Sequence, residues 1–470
     1  MFPFFRKKHQ PEVYLTNTKS GQKEKFTPLS SKKVRMYTCG PTVYNYAHLG
    51  NLRSYVFADT LKRTLEYIGY STEHVINITD VGHLVSDADE GEDKLEKGAL
   101  REGRSAQEIS AFYTKEFFHD LDILNIDRKK IIFPRATDYI KEQITLIQKL
   151  EEKGHTYKTS DGIYFDTSTF PTYGSLGGIN LDSIKEGARI GINAEKKNPT
   201  DFALWKLSGN KKRQQEWDSP WGTGFPGWHI ECSAMAMSIL GEELDIHTGG
   251  IDHVPVHHNN EIAQSESATG KTFSQFWLHN EFLTTQGEKM SKSQGNFLRM
   301  QLVIDEGFHP LSYRYFCLTA HYRTPLTFSW EALSASETAF RRLSLFLSPI
   351  KNTGTADEYY VSLAKKHLAD DLNTASTLAL LWEIVKDNAL TKEDRKATIL
   401  DIDKALGLDL RTNYFEKEIE IPHTVQELLE RRKEAREQKN WSLSDEIRDE
   451  IRTHGFIVQD TPSGQEVTKE

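Results

Sequence analysis

Between Val34 and Gly69 the sequence reads as one strand, one tight turn and one helix, and no other stretch constrains the fold as strongly. Val34 to Thr38 is a short β-favouring run that ends in Cys39-Gly40-Pro41-Thr42. From Leu49 to Ile68, residues Phe57, Leu61, Leu65 and Ile68 recur at three- and four-residue spacing, the stripe that an amphipathic helix buries, and Gly69 stops it. Val75 to Ile78 then reads as a second, fully buried strand. Strand, helix and strand in this order predict the opening of a doubly wound α/β domain, which binds ligands beyond the carboxyl ends of its strands.

The pattern breaks and then returns. From about Pro134 to Phe225 a helix rich in Lys, Gln and Glu, short strands such as Gly162 to Asp166, and loops dense in Gly, Asn and Lys read as an insertion. Trp228 to Leu240 resumes as a helix ended by Gly241, and Leu244 to His247 runs into Gly249-Gly250. After about Ser329 the periodicity is helical, clearest in Ala369–Asp387 and Val425–Thr453, with no long strand expected. A chain of 470 residues exceeds one hydrophobic core, so several domains are expected.

Composition excludes several classes. No run approaches the roughly 18 to 20 apolar residues of a membrane span. The N-terminal MFPFFRKKHQ places apolar clusters before positive charge, the reverse of a signal peptide, so a cytoplasmic protein is expected. Cys39, Cys232 and Cys317 are too far apart in sequence for a disulfide scaffold, which leaves metal binding or catalysis for the cysteines. Cys317 lies in the apolar run Tyr315-Phe316-Cys317-Leu318 and reads as core. A net charge of -9 gives no global field toward nucleic acid, although a local basic face can still bind RNA.

Three constellations carry chemistry. In Ala47-His48-Leu49-Gly50-Asn51, at the helix start beyond the first strand, His48 can donate to a phosphate oxygen and Gly50 permits close approach of a nucleotide; taken alone, a histidine there is more often a cap or a satisfied surface residue. Glu288-Lys289-Met290-Ser291-Lys292-Ser293 sets two lysines three apart, a device for neutralising a triphosphate or simply a solvated loop. On a helix, His257 and Glu261 are i and i+4 and face one way; with Cys232 and Cys39, they place four candidate metal ligands where strands of one sheet end. Such a set suits tetrahedral zinc, though its spacing is not that of a zinc finger.

Together the first two elements resemble the His-Ile-Gly-His and Lys-Met-Ser-Lys-Ser signatures of class I aminoacyl-tRNA synthetases. The segments Thr38 to Tyr44, Gly227 to Ser233 and His257 to Ser265 resemble the three zinc-bearing segments of cysteinyl-tRNA synthetases. The resemblance runs from about Pro28 to Gly464 and implies a Rossmann-like sheet, activation of L-cysteine by ATP with magnesium, and transfer of cysteine to tRNA(Cys) by a monomer. It implies one zinc per chain on Cys39, Cys232, His257 and Glu261, with catalytic His48, Asn51, Lys289 and Lys292; these four and Thr42 would bind ATP. Gly40, Thr42, Thr79, Trp228, His247 and Asp252 would line the cysteine pocket. Zinc prefers a thiolate to a hydroxyl, so serine is rejected without an editing domain.

Two departures stand out: Asn51 replaces the second histidine of the signature, and the segment after Asn77-Ile78-Thr79-Asp80 is unusually acidic from Ser86 to Asp93. His83, within that region, reads as an ordinary polar residue rather than a ligand.

Read through the resemblance, residues 1–133 and 226–275 form the two halves of the catalytic domain and 134–225 a connective insertion. Residues 276–335 form a stem-contact region with the lysine signature, 336–423 a helical bundle and 424–470 a small anticodon-side domain. Asp370 to Ala375 resembles the start of the bundle. Arg431, Arg432, Arg436 and Lys439 offer a basic face, and Trp441 a platform for an unpaired base. Two alternatives keep parts of this core: a mycothiol-pathway ligase that joins cysteine to an amino sugar, and a non-catalytic RNA- or zinc-binding paralogue.

Overall fold

The computed structural model describes residues 11–31, 33–82, 95, 98, 102–178, 195–209, 213–285, 288–289, 298–352, 354–415, 422–461 and 464–469. It divides into two compact units, Met1–Arg411 and Thr412–Glu470. The first opens with an antiparallel pair, β1 (Tyr14–Asn17) and β2 (Gln22–Lys25), followed by β3 (Lys33–Thr38), helix α1 (Leu49–Ile68) and β4 (Ser71–Ile76). Helix α1 has the bounds that its periodicity predicts. Gly69 closes it at φ 120°, a backbone that side chains with a Cβ resist, and donates its N–H to Leu65 and Glu66 carbonyls. β4 starts earlier than Val75, because parallel pairing with β3 from Lys33↔Ser71 onward recruits the polar residues at the sheet's end.

Helix α2 (Ala106–Ile123), held by a Ser105–Glu108 capping box, leads to β5 (Ile131–Ile132) and helix α3 (Ile140–Glu152). Within the predicted insertion, β6 (Thr156–Lys158), β7 (Gly162–Phe165), β8 (Phe202–Leu207) and β9 (Gly224–Pro226) form their own antiparallel sheet in that order. Helix α4 (Trp228–Leu240), β10 (Leu244–Gly250), helix α5 (Asn259–Thr269) and β11 (Ser274–Asn280) then rejoin the main sheet. That sheet is parallel, in the order β11-β10-β3-β4-β5. Strand order reverses between β3 and β10, whose registered pairs Met36↔Ile246 and Thr38↔Thr248 bring their carboxyl ends side by side. This is the topological switch point at which such sheets bind ligands.

Beyond the sheet, β12 (Leu283–Thr285) pairs antiparallel with β13 (Glu288–Lys289) and parallel with β14 (Leu326–Phe328). Helices α6 (Met300–Asp305), α7 (Pro310–Leu318), α8 (Trp330–Leu347), α9 (Glu358–Ala369), α10 (Thr374–Lys386) and α11 (Lys392–Leu406) complete the unit. The Asp370–Ala375 segment has a structural task here. Buried Asp371 accepts from the Thr16 backbone N–H at 2.9 Å and from Tyr322 OH at 2.7 Å, which ties β1 to the entrance of the helical part.

In the second unit, helices α12 (His423–Glu437) and α13 (Trp441–Thr453) are followed by a two-stranded antiparallel sheet, β15 (Phe456–Thr461) and β16 (Gly464–Lys469). The strands correct the all-helical expectation: Phe456 and Val458 alternate into a core with Val425, Leu428, Ile447 and Ile451. The basic face needs correction as well. Arg432 is fully buried and forks onto both carboxylate oxygens of Asp460 at 2.9 Å, so it holds the sheet rather than a phosphate. Among the described residues, no helix is long and apolar enough to cross a membrane.

Candidate active site

The switch point assembles side chains from four stretches of sequence. Cys39 follows β3, and its N–H donates to Thr248 O of β10 at 3.1 Å. Gly40 must be glycine: a Cβ there would lie 1.6 Å from the Asn77 carbonyl oxygen, and its N–H donates to Asn77 Oδ1 at 2.7 Å. Cys232 comes from the first turns of α4. A π-helical turn, Val254–His258, runs into α5 and aims His257 and Glu261 inward; such single turns recur at functional sites.

One donor atom from each of Cys39, Cys232, His257 and Glu261 lies within 4.8 Å of the others, and all four residues are buried. The four ligands expected from sequence therefore converge. A second set, Cys39, His247, His258 and Glu261, meets the same limit and shares two members. Its histidines brace the first set: His247 Nε2 is 3.0 Å from Glu261 Oε2, and His258 Nε2 is 3.2 Å from Cys39 Sγ. Behind them, His258 Nδ1 meets His279 Nε2 at 2.7 Å and His257 Nδ1 meets His229 Nδ1 at 2.9 Å. Metal-ligating histidines are typically held this way through their other ring nitrogen.

The electrostatics suit a cation. Burial resists ionising Glu261, yet His247 and His257 hold its carboxyl well below the usual carboxylate range. Burial likewise opposes charge on His257, but Cys232 and Glu261 push its imidazolium up to about 10. The hydrogen bond with Cys39 draws the Cys232 thiol down to about 7, while burial raises Cys39 well above the thiol range. Buried His257 Nε2 lies 3.2 Å from Glu261 Oε1, close enough for both atoms to face one ion. Two thiols, an imidazole and a carboxylate fit a tetrahedral metal site.

Around this centre, Trp228 is half-buried, its ring 5.7 Å from that of His257 in a T-shaped contact. Thr79 is buried, forms a bridge with Thr42, and accepts from Asn77 Nδ2 at 2.9 Å. His247 stacks on Trp277 at 4.4 Å, and Asp252 is exposed just after β10. Sequence reasoning missed Glu231, fully buried, whose carboxyl burial pushes well above the usual range, together with His229, His253, His258 and His279. For His229 and His258 the signal was the crowding of histidine into the two ligand-bearing segments; His253 and His279 lie outside them.

His48 is the N-cap of α1. Its Nδ1 accepts the Asn51 N–H at 3.0 Å, and Asn51 Oδ1 accepts the His48 N–H at 3.2 Å, a reciprocal capping box. The asparagine that departs from the signature therefore completes the cap. In the neutral ring, this arrangement leaves the proton on Nε2. Lys289 is described only through its backbone in β13. Lys292, His83 and the acidic segment Ser86–Asp93 lie outside the described residues.

Residues 25–338 match the family described as tRNA synthetases class I (C) catalytic domain, and residues 419–467 match the Cysteinyl-tRNA ligase anticodon binding domain. Over 94% of its length the chain is 48% identical to a "Cysteine--tRNA ligase 1" of Burkholderia lata, covering 93% of that protein. It is 44% identical to a "Cysteine--tRNA ligase" of Treponema denticola, covering 95% of this chain and 97% of that one. Among solved structures, a methionyl-tRNA synthetase of Mycobacterium tuberculosis in complex with methionyl-adenylate shares the fold at 14% identity, with a TM-score of 0.54 over 80% of this chain and 90% of that one.

Proposed function

The chain belongs to the cysteinyl family of class I tRNA synthetases, and on that premise we propose that it activates L-cysteine with ATP and transfers it to the 3′ terminal adenosine of tRNA(Cys), with Cys39, Cys232, His257 and Glu261 holding one zinc ion. The observation that supports this most is the convergence of those four buried donors beyond β3 and β10, the place where such sheets bind ligands. Zinc in that donor set supplies a soft cation that favours a thiolate over a hydroxyl.

The rest of the work falls to the chain's own groups. Gly40, Thr42, Thr79, Trp228, His247 and Asp252 seat the amino acid so that its carboxylate oxygen faces the α-phosphate of ATP. That oxygen bonds to phosphorus as the bond to the leaving pyrophosphate breaks, giving cysteinyl adenylate. The His48 Nε2–H, the Asn51 amide and the Lys289 and Lys292 ammonium groups stabilise the departing negative charge, with magnesium carried by ATP. A ribose hydroxyl of tRNA, the 2′ one by class I membership, then attacks the cysteinyl carbonyl and releases AMP. The chain acts as a monomer. Residues 1–133 and 226–275 supply the catalytic halves, 134–225 the connective insertion, and 276–335, 336–423 and 424–470 the tRNA-facing parts. The anticodon-domain match of residues 419–467 favours tRNA over an amino sugar as acceptor.

Cysteine-dependent exchange of pyrophosphate into ATP, with serine as control and metal measured on the same sample, tests this reading. Exchange with cysteine alone at about one zinc per chain supports it. A folded, metal-loaded protein without exchange leaves the non-catalytic paralogue.

A further inference from the structure

Helix α1 contacts the chain on both sequence sides of the lysine signature, at Glu281 and Phe282 before it and at Leu298 after it. Arg53, five residues beyond His48 on α1, is 2% exposed. Its guanidinium donates to four backbone carbonyls: Glu281 O at 2.8 Å and Phe282 O at 2.6 Å from Nη1, Thr324 O at 2.6 Å and Tyr322 O at 3.4 Å from Nη2. Glu281 and Phe282 lead directly into β12, which pairs with β13 through Thr284↔Lys289. Tyr322 and Thr324 lead toward β14, the parallel neighbour of β12. On the other side, the Leu49 N–H in the first turn of α1 donates to Leu298 O at 2.8 Å, and Tyr313 OH donates to Leu49 O at 2.6 Å.

We propose that Arg53 is a positioning residue for amino-acid activation, fixing the β12–β13 pair, and with it Lys289, against the helix end that bears His48 and Asn51. The inference rests on the reading of those residues as phosphate-binding groups. Burying a guanidinium among dipoles alone is costly, and an apolar side chain would fill the same space. What an apolar residue lacks is a rigid planar fork able to hold carbonyls of two separate segments at once. Lysine's three donors radiate from one nitrogen and cannot span both segments equally. Phosphate catalysis is sensitive to that register, because a 1 Å misplacement of a catalytic group costs on the order of a hundredfold in rate.

The test compares Arg53→Lys, Arg53→Met and a control, Arg314→Lys. Arg314 is equally buried and ties α1 to α11 through Leu406 O at 2.7 Å and Asp59 Oδ2 at 2.6 Å, away from these strands. Thermal midpoint, bound metal, and kcat and KM for cysteine-dependent pyrophosphate exchange are measured on each, with hydrogen exchange at Thr284 and Thr285. The expected result for Arg53→Lys is a folded, metal-loaded protein whose kcat falls roughly tenfold to a hundredfold, with KM for cysteine held and the two amides deprotected. Arg53→Met loses more, and Arg314→Lys lowers the midpoint while keeping kcat. A lower midpoint with unchanged kcat per folded chain, or unchanged protection at Thr284 and Thr285, overturns the inference. If the unsubstituted protein shows no cysteine-dependent exchange, the functional reading fails instead, and hydrogen exchange alone decides whether Arg53 sets the strand pair.

Discussion

Cys39 Sγ lies 3.6 Å from Glu261 Oε1, although 222 residues separate them along the chain. Two parallel strands with their carboxyl ends in register produce that contact, so ligand chemistry and sheet topology depend on each other.

Replacing Cys232 with serine removes one soft donor from the four. Metal content of the purified protein should fall well below that of the unsubstituted chain, and cysteine activation should fall with it. Full metal content with normal activation would remove Cys232 from the set.

His229 acts one step back, against His257 Nδ1. His229→Ala should leave the protein folded and weaken metal binding by roughly tenfold to a hundredfold, the usual cost of losing such a brace. Competition with a chelator of known affinity measures it, independently of activity.

Asn51 separates capping from charge. Asn51→Ala should cost about 0.5 to 1 kcal/mol of stability, because it removes the acceptor for the His48 N–H while His48 still caps the residue-51 N–H. Asn51→Asp keeps an acceptor at a helix N-terminus and so keeps the stability, but places an anion where phosphates are proposed to bind. Urea unfolding and pyrophosphate exchange should therefore diverge for Asn51→Asp and fall together for Asn51→Ala.

Asp59 gives a signed pH dependence. Burial raises its pKa, but Arg314 and Arg63 outweigh that and hold the carboxyl below its ordinary 3.8. A depressed carboxyl stabilises the fold above its unfolded pKa, and that stability is lost as pH falls through the folded value. Asp59→Asn strands two guanidinium groups and should cost roughly 3 to 5 kcal/mol at pH 7. The gap from the unsubstituted protein should stay constant down to about pH 5 and narrow below it. Unfolding midpoints across pH read this directly.

Trp441 is 56% exposed, with the Arg436 guanidinium 5.5 Å from its ring centre. Trp441→Ala should raise KM for tRNA about tenfold, from about 1 to 3 kcal/mol per stacked base, while pyrophosphate exchange is unchanged. Equal loss in both assays would assign Trp441 to folding instead.

Much of this site was legible in the sequence because its parts are local. Periodicity set the bounds of α1, and the i, i+4 pair of His257 and Glu261 required only a helix. The contacts of the histidines around the four donors were not legible, since His229 meets His257, and His258 meets His279, only when α4, the turn before α5 and β11 pack together. Arg432 misled the reading for the opposite reason. On a charge-rich helix it looks solvated, and only the return of β15 supplies the Asp460 that buries it.

The sequence by itself determined helix α1, the split α/β core and the i, i+4 placing of His257 and Glu261, because spacing along a helix or strand fixes which side chains share a face; it did not show β15 and β16. Tertiary structure alone decided that β10 lies beside β3, that Asn51 caps the helix with His48, and that Arg53 reaches the carbonyls before β12 and β14. The strand pairing and the Arg53 contacts join residues distant in sequence and form only when burial of apolar faces brings the separate segments into register, whereas the His48–Asn51 cap is a local contact three residues apart.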